Sequence, residues 1–460
     1  MISRYLRFKS EADLMKKVLI ANRGEIAVRI IRACRELGIA TVAVYSTADR
    51  RALHVQLADQ AVCIGPAAAA ASYLNQTALL TAAKLTGADA IHPGYGFLSE
   101  NADFARKCQQ AGLTFVGPSA DVIDLMGEKA AARETMIKAE VPVIPGSQAE
   151  FTTAAAGLQA AQKIGFPVML KASAGGGGKG MRVIDQAAQF KHEFALAQNE
   201  ALNAFGSKQM YLEKYLAHPR HIEVQILADQ AGNVWAVGER DCTIQQHHQK
   251  VIEEAPAVCL STTTREKLLA TAVTAAKSLH YTSAGTMEFL VADAEHFYFM
   301  EMNTRIQVEH PITELTSGID LVKWQLKIAA GEKLPAKESL PTAKFALECR
   351  INAQTAGVIK GLHLPGGLGI RVDTAIYQGY LVPPNYDSMI AKIIAYGIDR
   401  NTVIQRMIMA LDETVISGVR TNIDFLLQLL AEPDYRQLRT DINWLDNLAT
   451  PPATEKEGKI

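Results

Sequence analysis

The chain has 460 residues, with 47 Lys and Arg against 48 Asp and Glu, 48% hydrophobic residues and a net charge of −1. At about 150 residues per domain this length gives two or three domains with a large core. The even charge removes the electrostatic reason to expect DNA, RNA or an anionic membrane as partner, and no apolar stretch reaches the roughly 20 residues of a bilayer span.

Residues 1–16 mix Arg4, Arg7 and Lys9 with Glu11 and Asp13 and lack an apolar core, so they read as a short leader and not as a secretory signal. Val18 to Ala21 then reads as a strand. A helix follows over Glu25 to Leu37, with Ile26, Ile30, Ile31 and Cys34 on its buried side and Gly38 as its left-handed stop. Strands are expected at Thr41 to Tyr45, Ala61 to Ile64, Ala88 to Ile91 and Leu113 to Val116, with a helix over Ser72 to Leu85. Such alternation predicts an open, parallel, doubly wound α/β sheet. Its first turn, Ala21-Asn22-Arg23-Gly24-Glu25, lacks the G-x-G-x-x-G spacing of a dinucleotide site. The run from His92 to Asn101 is a glycine-rich turn between a strand and a helix; turn geometry alone would justify its glycines, and a functional loop is the equal alternative. The six cysteines (Cys34, Cys63, Cys108, Cys242, Cys259, Cys349) form no C-x-x-C pair. They read as buried thiols of a reducing cytoplasm.

Further on, Pro167 to Lys171 and Met181 to Ile184 are expected strands flanking Ala172 to Gly180, where five glycines fall in the six positions from Gly175. A tight hairpin needs about one or two. Bare backbone N–H groups beside lysines suit a polyphosphate. The loop is neither a Rossmann nor a Walker A turn, since it lies between strands and Gly180 stands where a Ser or Thr would hold magnesium. Tyr211 to Leu216 is the next strand. His221 to Leu227 alternates polar and apolar residues, and its polar face of His221, Glu223 and Gln225 reads as solvated.

Gly285 to Val291 and His296 to Asn303 form a hairpin across Ala292 to Glu295. Period-two alternation puts Glu288 with Leu290 on one face, and Phe299, Glu301 and Asn303 together on the partner strand. Two carboxylates and an amide make an all-oxygen set suited to Mg²⁺. Arg305, Gln307, Glu309 and His310 follow, and Gln245 to Lys250 lie upstream. An Arg and a Lys can hold a small oxyanion while a nearby Glu takes its proton.

These residues resemble the ATP-grasp superfamily, and within it the biotin carboxylases of acetyl-CoA carboxylase. The resemblance runs from Lys17 to about Leu445. It is carried by Ala21 to Ala27, the His92 to Asn101 run, Lys171-Ala172-Ser173 with its glycines, Glu239 to Cys242, and Glu301 to Pro311. It implies a Rossmann-like first domain (17–128), an ATP-grasp domain (129–343) with a mobile lid at about 143–216, a mixed α/β C-terminal domain (344–450) and a polar tail (451–460). The reaction it implies joins ATP and bicarbonate into carboxyphosphate and carboxylates biotin at its ureido nitrogen.

By that resemblance Lys129, Lys171, Gly177, Gly178, Glu213, Lys214, Tyr215, Leu216, His221, Gln245, His248 and Leu290 surround ATP. Glu288, Glu301 and Asn303 serve Mg²⁺ or Mn²⁺. Lys250, Arg305, Gln307 and the Val308 backbone hold bicarbonate, Glu309 is the general base, and Arg350 meets the biotin oxygen. The implied partners are a second copy of the chain, through a surface including Arg32 and Glu36, together with a biotin carboxyl carrier protein and carboxyltransferase subunits. No Met-Lys-Met biotinylation motif occurs. Two departures stand out. Gln246-His247 replaces the family's Arg-Arg, and Gln354 to His363 replaces a longer segment behind Arg350. They support a second reading, a degenerate paralogue that binds ATP or the carrier and scaffolds an active partner.

Overall fold

The computed structural model describes residues 15–147, 149–173, 180–247, 249–335 and 345–448. Residues 1–14 of the expected leader, the central glycines of the loop after Lys171, His248 and the polar tail lie outside the described residues.

The first region alternates strand and helix as the apolar runs require: β1 (Lys17–Ile20), α1 (Gly24–Glu36), β2 (Ala40–Ser46), α2 (Leu53–Leu57), β3 (Gln60–Gly65), α3 (Gln76–Thr86), β4 (Ala90–His92), α4 (Ala102–Gln110) and β5 (Thr114–Phe115). All five strands pair in parallel, in the order β3-β2-β1-β4-β5. Ile26, Ile30, Ile31 and Cys34 of α1 are buried, and Gly38 stops the chain with φ 72°. Helix α3 starts later than the apolar pattern suggests because Asn75 caps it, accepting the Ala78 N–H at 3.0 Å. In the His92 to Asn101 turn, Asn22 donates to the carbonyls of Pro93 and Tyr95 at 2.7 and 2.6 Å. A Cβ on Gly94, whose φ is +64°, would lie 3.0 Å from that same Asn22 nitrogen.

Helices α5 (Ala120–Gly127) and α6 (Lys129–Lys138) lead into a small unit made of α7 (Ala154–Ile164), β6 (Val168–Ala172), β7 (Met181–Ile184), α8 (Phe190–Phe205) and β8 (Met210–Lys214). Its three strands pair antiparallel in the order β7-β6-β8 over a core of its own around Phe151, Leu170, Phe190 and Phe194.

The largest sheet takes its strands from β9 (Arg220–Ala228), β10 (Val234–Gln246), β11 (Gln249–Ala255), β12 (Ser283–Val291), β13 (Phe297–Asn303), β14 (Phe345–Asn352), β17 (Ile370–Thr374) and β19 (Met389–Gly397). Between the last of these run the short β15 (Gly357–Val358), β16 (Gly361–His363) and β18 (Leu381–Val382). The eight strands are antiparallel throughout, in the order β13-β12-β9-β10-β11-β14-β19-β17. Helices α9 (Thr262–Ser278), α10 (His310–Ser317), α11 (Leu321–Ala329) and α12 (Arg400–Glu413) cover it.

Three expectations need correction here. Of the six thiols expected to be buried, Cys63 is exposed and Cys259 is half-buried. The His221, Glu223 and Gln225 face of β9 is buried and not solvated, because a second layer of charged side chains covers it. In addition, the β12–β13 pairing shifts register between Glu288/Glu301 and Phe289/Phe299. This bulge puts Phe299 on the opposite face from Glu301, in edge contact with Phe289 at 6.2 Å between ring centroids. The shortened segment 354–363 closes neatly: β15 pairs with β18, β16 pairs with β20 (Val415–Ser417), and Ile359 between them is fully buried.

Candidate active site

Neighbouring strands of the large sheet project their polar residues to one side, where α10 and the turn before it close over them. Lys250 Nζ on β11 donates to Glu223 Oε2 at 2.5 Å, Glu309 Oε1 at 2.7 Å and Glu288 Oε1 at 2.9 Å. Burial alone would lower the Lys250 ammonium, but these three carboxylates reverse it and hold its pKa well above the usual range. Arg240, fully buried, donates to Glu223 Oε1 at 2.5 Å and to Gln225 Oε1 and Thr313 Oγ1 at 2.8 Å each. A buried carboxylate is tolerated only when paired in this way.

Glu288 also meets Asn303 Nδ2 at 2.9 Å, Gln307 Nε2 at 3.1 Å and His221 Nε2 at 3.1 Å. Burial pushes its carboxyl upward, yet Lys250 and His221 outweigh this and keep it far below its ordinary range. Glu301, across the strand pair from Glu288, is solvent-accessible. Partial desolvation in the cleft and the adjoining Glu288 charge raise its carboxyl, and the Lys129 charge opposes them. Two carboxylates and an amide oxygen thus border one cleft, and this hard, all-oxygen set fits a divalent cation such as Mg²⁺.

Arg305 is held on several sides. Its Nε donates to Glu100 Oε2 at 2.8 Å, and its terminal nitrogens donate to Gln307 Oε1 and Asn303 Oδ1, also at 2.8 Å. Glu100 comes from the glycine-rich turn of the first region, which therefore does more than turn the chain. Glu309 is fully buried, its Oε1 on Lys250 and its Oε2 accepting from Arg350 at 3.0 Å. Burial raises the Glu309 carboxyl, while Lys250, Arg350 and Arg240 together hold it well below the usual range. Arg350 Nε donates to Glu253 Oε1 at 2.6 Å. The Val308 carbonyl accepts from Lys392 Nζ at 2.7 Å, and Lys392 also meets Glu25 Oε1 at 3.1 Å.

The structure therefore brings Lys250, Glu288, Asn303, Arg305, Gln307, Glu309 and Arg350 into one hydrogen-bonded network, with His221 and Gln245 at its edge and the Val308 carbonyl held separately by Lys392. Gln245 Nε2 lies 2.9 Å from His221 Nδ1, and Leu290 is the cross-strand partner of His221. A second group belongs to the small sheet. Lys171 on β6 forms an ion pair with Glu213 on β8, Lys214 Nζ donates to the carbonyls of Gly165 and Phe166 at 2.9 and 3.0 Å, and the Tyr215 N–H donates to Pro167 O at 3.2 Å. Leu216 follows half-buried. Gly177, Gly178 and His248 lie outside the described residues. Gln246 and His247, which replace two arginines of the family pattern, are exposed at the β10–β11 turn, where His247 has φ 50°.

Sequence reasoning missed Glu100, Glu253, Glu348 and Lys392. Glu253 and Glu254 stand in the apolar run Val251 to Ala255, and an acid in such a run was the available signal.

Comparison with known proteins agrees with this layout. Residues 14–123 match the family model for the biotin carboxylase N-terminal domain, 128–337 that for the carbamoyl-phosphate synthase L chain ATP-binding domain, and 348–447 that for the biotin carboxylase C-terminal domain. Biotin carboxylase 1 of Bacillus subtilis is 55% identical over 427 residues, covering 91% of this chain and 95% of that one. The chain belongs to the biotin carboxylase family. Biotin carboxylases are ATP-dependent ligases, and the Haemophilus influenzae member is 51% identical over 442 residues, 94% of this chain and 98% of its own. Among solved structures, a Campylobacter jejuni biotin carboxylase in a β-γ-ATP complex superposes with a TM-score of 0.89 at 47% identity, covering 95% of this chain and all of that one. The biotin carboxylase domain dimer of Hydrogenobacter thermophilus 2-oxoglutarate carboxylase, in complex with MgADP, ADP and bicarbonate, gives 0.87 at 46% identity, covering 95% and 98%. The fold is that of the family: a parallel Rossmann-like first domain, an ATP-grasp domain and a mixed C-terminal domain.

Proposed function

We propose that this chain uses ATP and bicarbonate to carboxylate biotin borne on a separate biotin carboxyl carrier protein, through carboxyphosphate, as the first half-reaction of a cytoplasmic acetyl-CoA carboxylase. The observation that carries the reading is the convergence of Lys250, Glu309, Arg305 and Arg350 on one buried cleft. Lys250, Arg305, Gln307 and the Val308 backbone hold bicarbonate, and Glu309 takes its proton. When bicarbonate captures the Lys250 ammonium, Glu309 loses its strongest hydrogen bond, and its basicity rises toward what proton removal needs.

Lys129, Lys171, Glu213, Lys214, Tyr215, Leu216, His221, Gln245 and Leu290 surround ATP, together with Gly177, Gly178 and His248. Glu288, Glu301 and Asn303 hold the divalent ion, which when bound offsets phosphate charge. Arg350 receives the biotin ureido oxygen and stabilises the negative charge that develops there. Closure of the glycine loop over the phosphates excludes water from the unstable mixed anhydride. The chain works as a homodimer beside carboxyltransferase subunits. The closed packing of segment 354–363 behind Arg350 gives no support to a degenerate paralogue.

The test is ADP release by the purified chain with Mg²⁺ alone, with bicarbonate, and with bicarbonate plus free biotin. Biotin is expected to raise bicarbonate-dependent turnover, and E309Q to remove that turnover. ATP binding without either stimulation would overturn the reading.

A further inference from the structure

Behind Arg350 the sheet holds two carboxylic acids that the reaction above leaves without a task. Glu253 on β11 and Glu348 on β14 are direct cross-strand partners, and both are completely buried. Glu253 Oε1 accepts the Arg350 Nε–H at 2.6 Å. Among the described residues, its Oε2 and both oxygens of Glu348 have no hydrogen-bond partner. Side chains of direct cross-strand partners leave Cβ atoms about 4.5–5.5 Å apart, a separation two carboxyl groups can bridge.

Three orphan oxygens on two facing acids are short of a donor. One proton on Glu348 supplies it, giving Glu253 Oε2 a partner and removing one buried charge. The surrounding cations do not suffice for two charges. Arg350 is already shared with Glu309. Lys250, on the same strand as Glu253, is divided among three other carboxylates. Lys392, beside Arg350 on β19, is the main cation acting on Glu348, but it is engaged by the Val308 carbonyl and Glu25, and Asp373 on β17 shares its charge as well. Burial is the leading cause that moves both acids upward, Glu253 to about 7 and Glu348 well above the carboxylate range.

We propose that Glu253 is the positioning residue for Arg350, and that it acts as one half of a one-proton acid pair with Glu348. The inference rests on the assignment of Arg350 to the biotin oxygen. With Glu253 anchoring Nε, the guanidinium plane is fixed and its far nitrogen is presented to Glu309 and the cleft. A second charge on Glu348 would compete with the cleft for the same guanidinium. Protonated Glu348 keeps Arg350 facing forward.

The full chain tests this with E253Q and E348Q. E253Q is expected to lower biotin-stimulated ADP release on the order of 10²-fold, the cost of misplacing a group at the reacting centre. Its KM for ATP should stay near that of the parent, which a general loss of structure would not allow. E253D, which keeps the charge, should recover part of the loss. In parallel, infrared spectra at neutral pH should contain a protonated-carboxyl stretch that shifts in D₂O and is missing from E348Q. E348Q should lose less turnover than E253Q because glutamine also donates a hydrogen bond.

Biotin-stimulated turnover that survives E253Q overturns the positioning role. Identical infrared spectra for the parent and E348Q overturn the acid pair, and that arm decides even if E253Q does not fold. A parent without biotin stimulation would refute the functional reading instead, while the infrared comparison would still judge the pair.

Discussion

The eight-stranded sheet and the three-stranded sheet β7-β6-β8 handle polar groups in opposite ways. On the large sheet, Glu223, Glu288, Lys250, Arg240 and Arg350 are locked to one another and to Glu309 in the turn above them, with little exposure. On the small sheet, Lys171 and Glu213 make one pair on the cleft side, and Arg182 reaches Glu200 at 2.9 Å on a half-exposed surface. The small sheet also carries its own apolar core, separate from those under the large one. On the proposed function, the contrast separates two requirements of the reaction. Acid–base groups must be held in place before substrate arrives, whereas groups around the nucleotide must let it enter and then close.

Removing the base would show how far the reaction depends on the large sheet. E309Q is expected to reduce bicarbonate-dependent ADP release by about 10²–10⁴-fold, while nucleotide binding, followed by fluorescence or calorimetry, persists. The next comparison is in stability. R240M removes one of the two cations paired with buried Glu223, leaving its Oε1 without a donor, and should cost about 3–5 kcal/mol in denaturant unfolding. R182M, on the small sheet, should stay within about 0.5 kcal/mol of the parent. Equal losses from the two would erase the distinction.

K171A sharpens it from the nucleotide side. Loss of one charge-assisted contact to phosphate should raise the KM for ATP by roughly tenfold or more, with little change in the urea midpoint.

The smallest effect belongs to the first domain. Burial leads in holding the imidazoles of His54 and His92 down, to about 4 and about 3. The unfolded chain therefore binds protons that the folded chain refuses, so stability is full above about pH 6.5 and declines as pH falls toward the folded values. Urea midpoints between about pH 7 and pH 5 should show the decline, and H54Q should flatten it.

Much of this layout was legible in the sequence, because parallel strands buried on both sides and amphipathic helices leave periodic runs. Helix α1 and strand β1 are examples, with Ile26, Ile30 and Ile31 marking one buried face of the helix. The misreadings share a physical cause. Period-two alternation assumes an unbroken ladder, so the bulge opposite Glu288 moved Phe299 to the other face without any mark in local sequence. The same alternation cannot tell water from paired ions, so Glu223 read as solvated although Arg240, its neighbour on the next strand, pairs with it. The partners of Arg305 and Lys392 are Glu100 and Glu25, which come from the first domain and are distant along the chain. Pairings of that kind exist only once the tertiary fold has assembled them. For the site roles, the resemblance to a family supplied what spacing alone left open.

The joint between β11 and β14 has a bearing on how such chains are built. Family models divide the sequence between residues 337 and 348, yet four consecutive residue pairs cross that division as one antiparallel ladder, from Ile252 and Cys349 to Ala255 and Ala346. The division is one of ancestry and not of mechanics. A recombinant that exchanged the last hundred or so residues for those of a cousin would inherit a seam of backbone hydrogen bonds to match, with Arg350 sitting on it. Chimeras cut there should be judged by strand register before anything else.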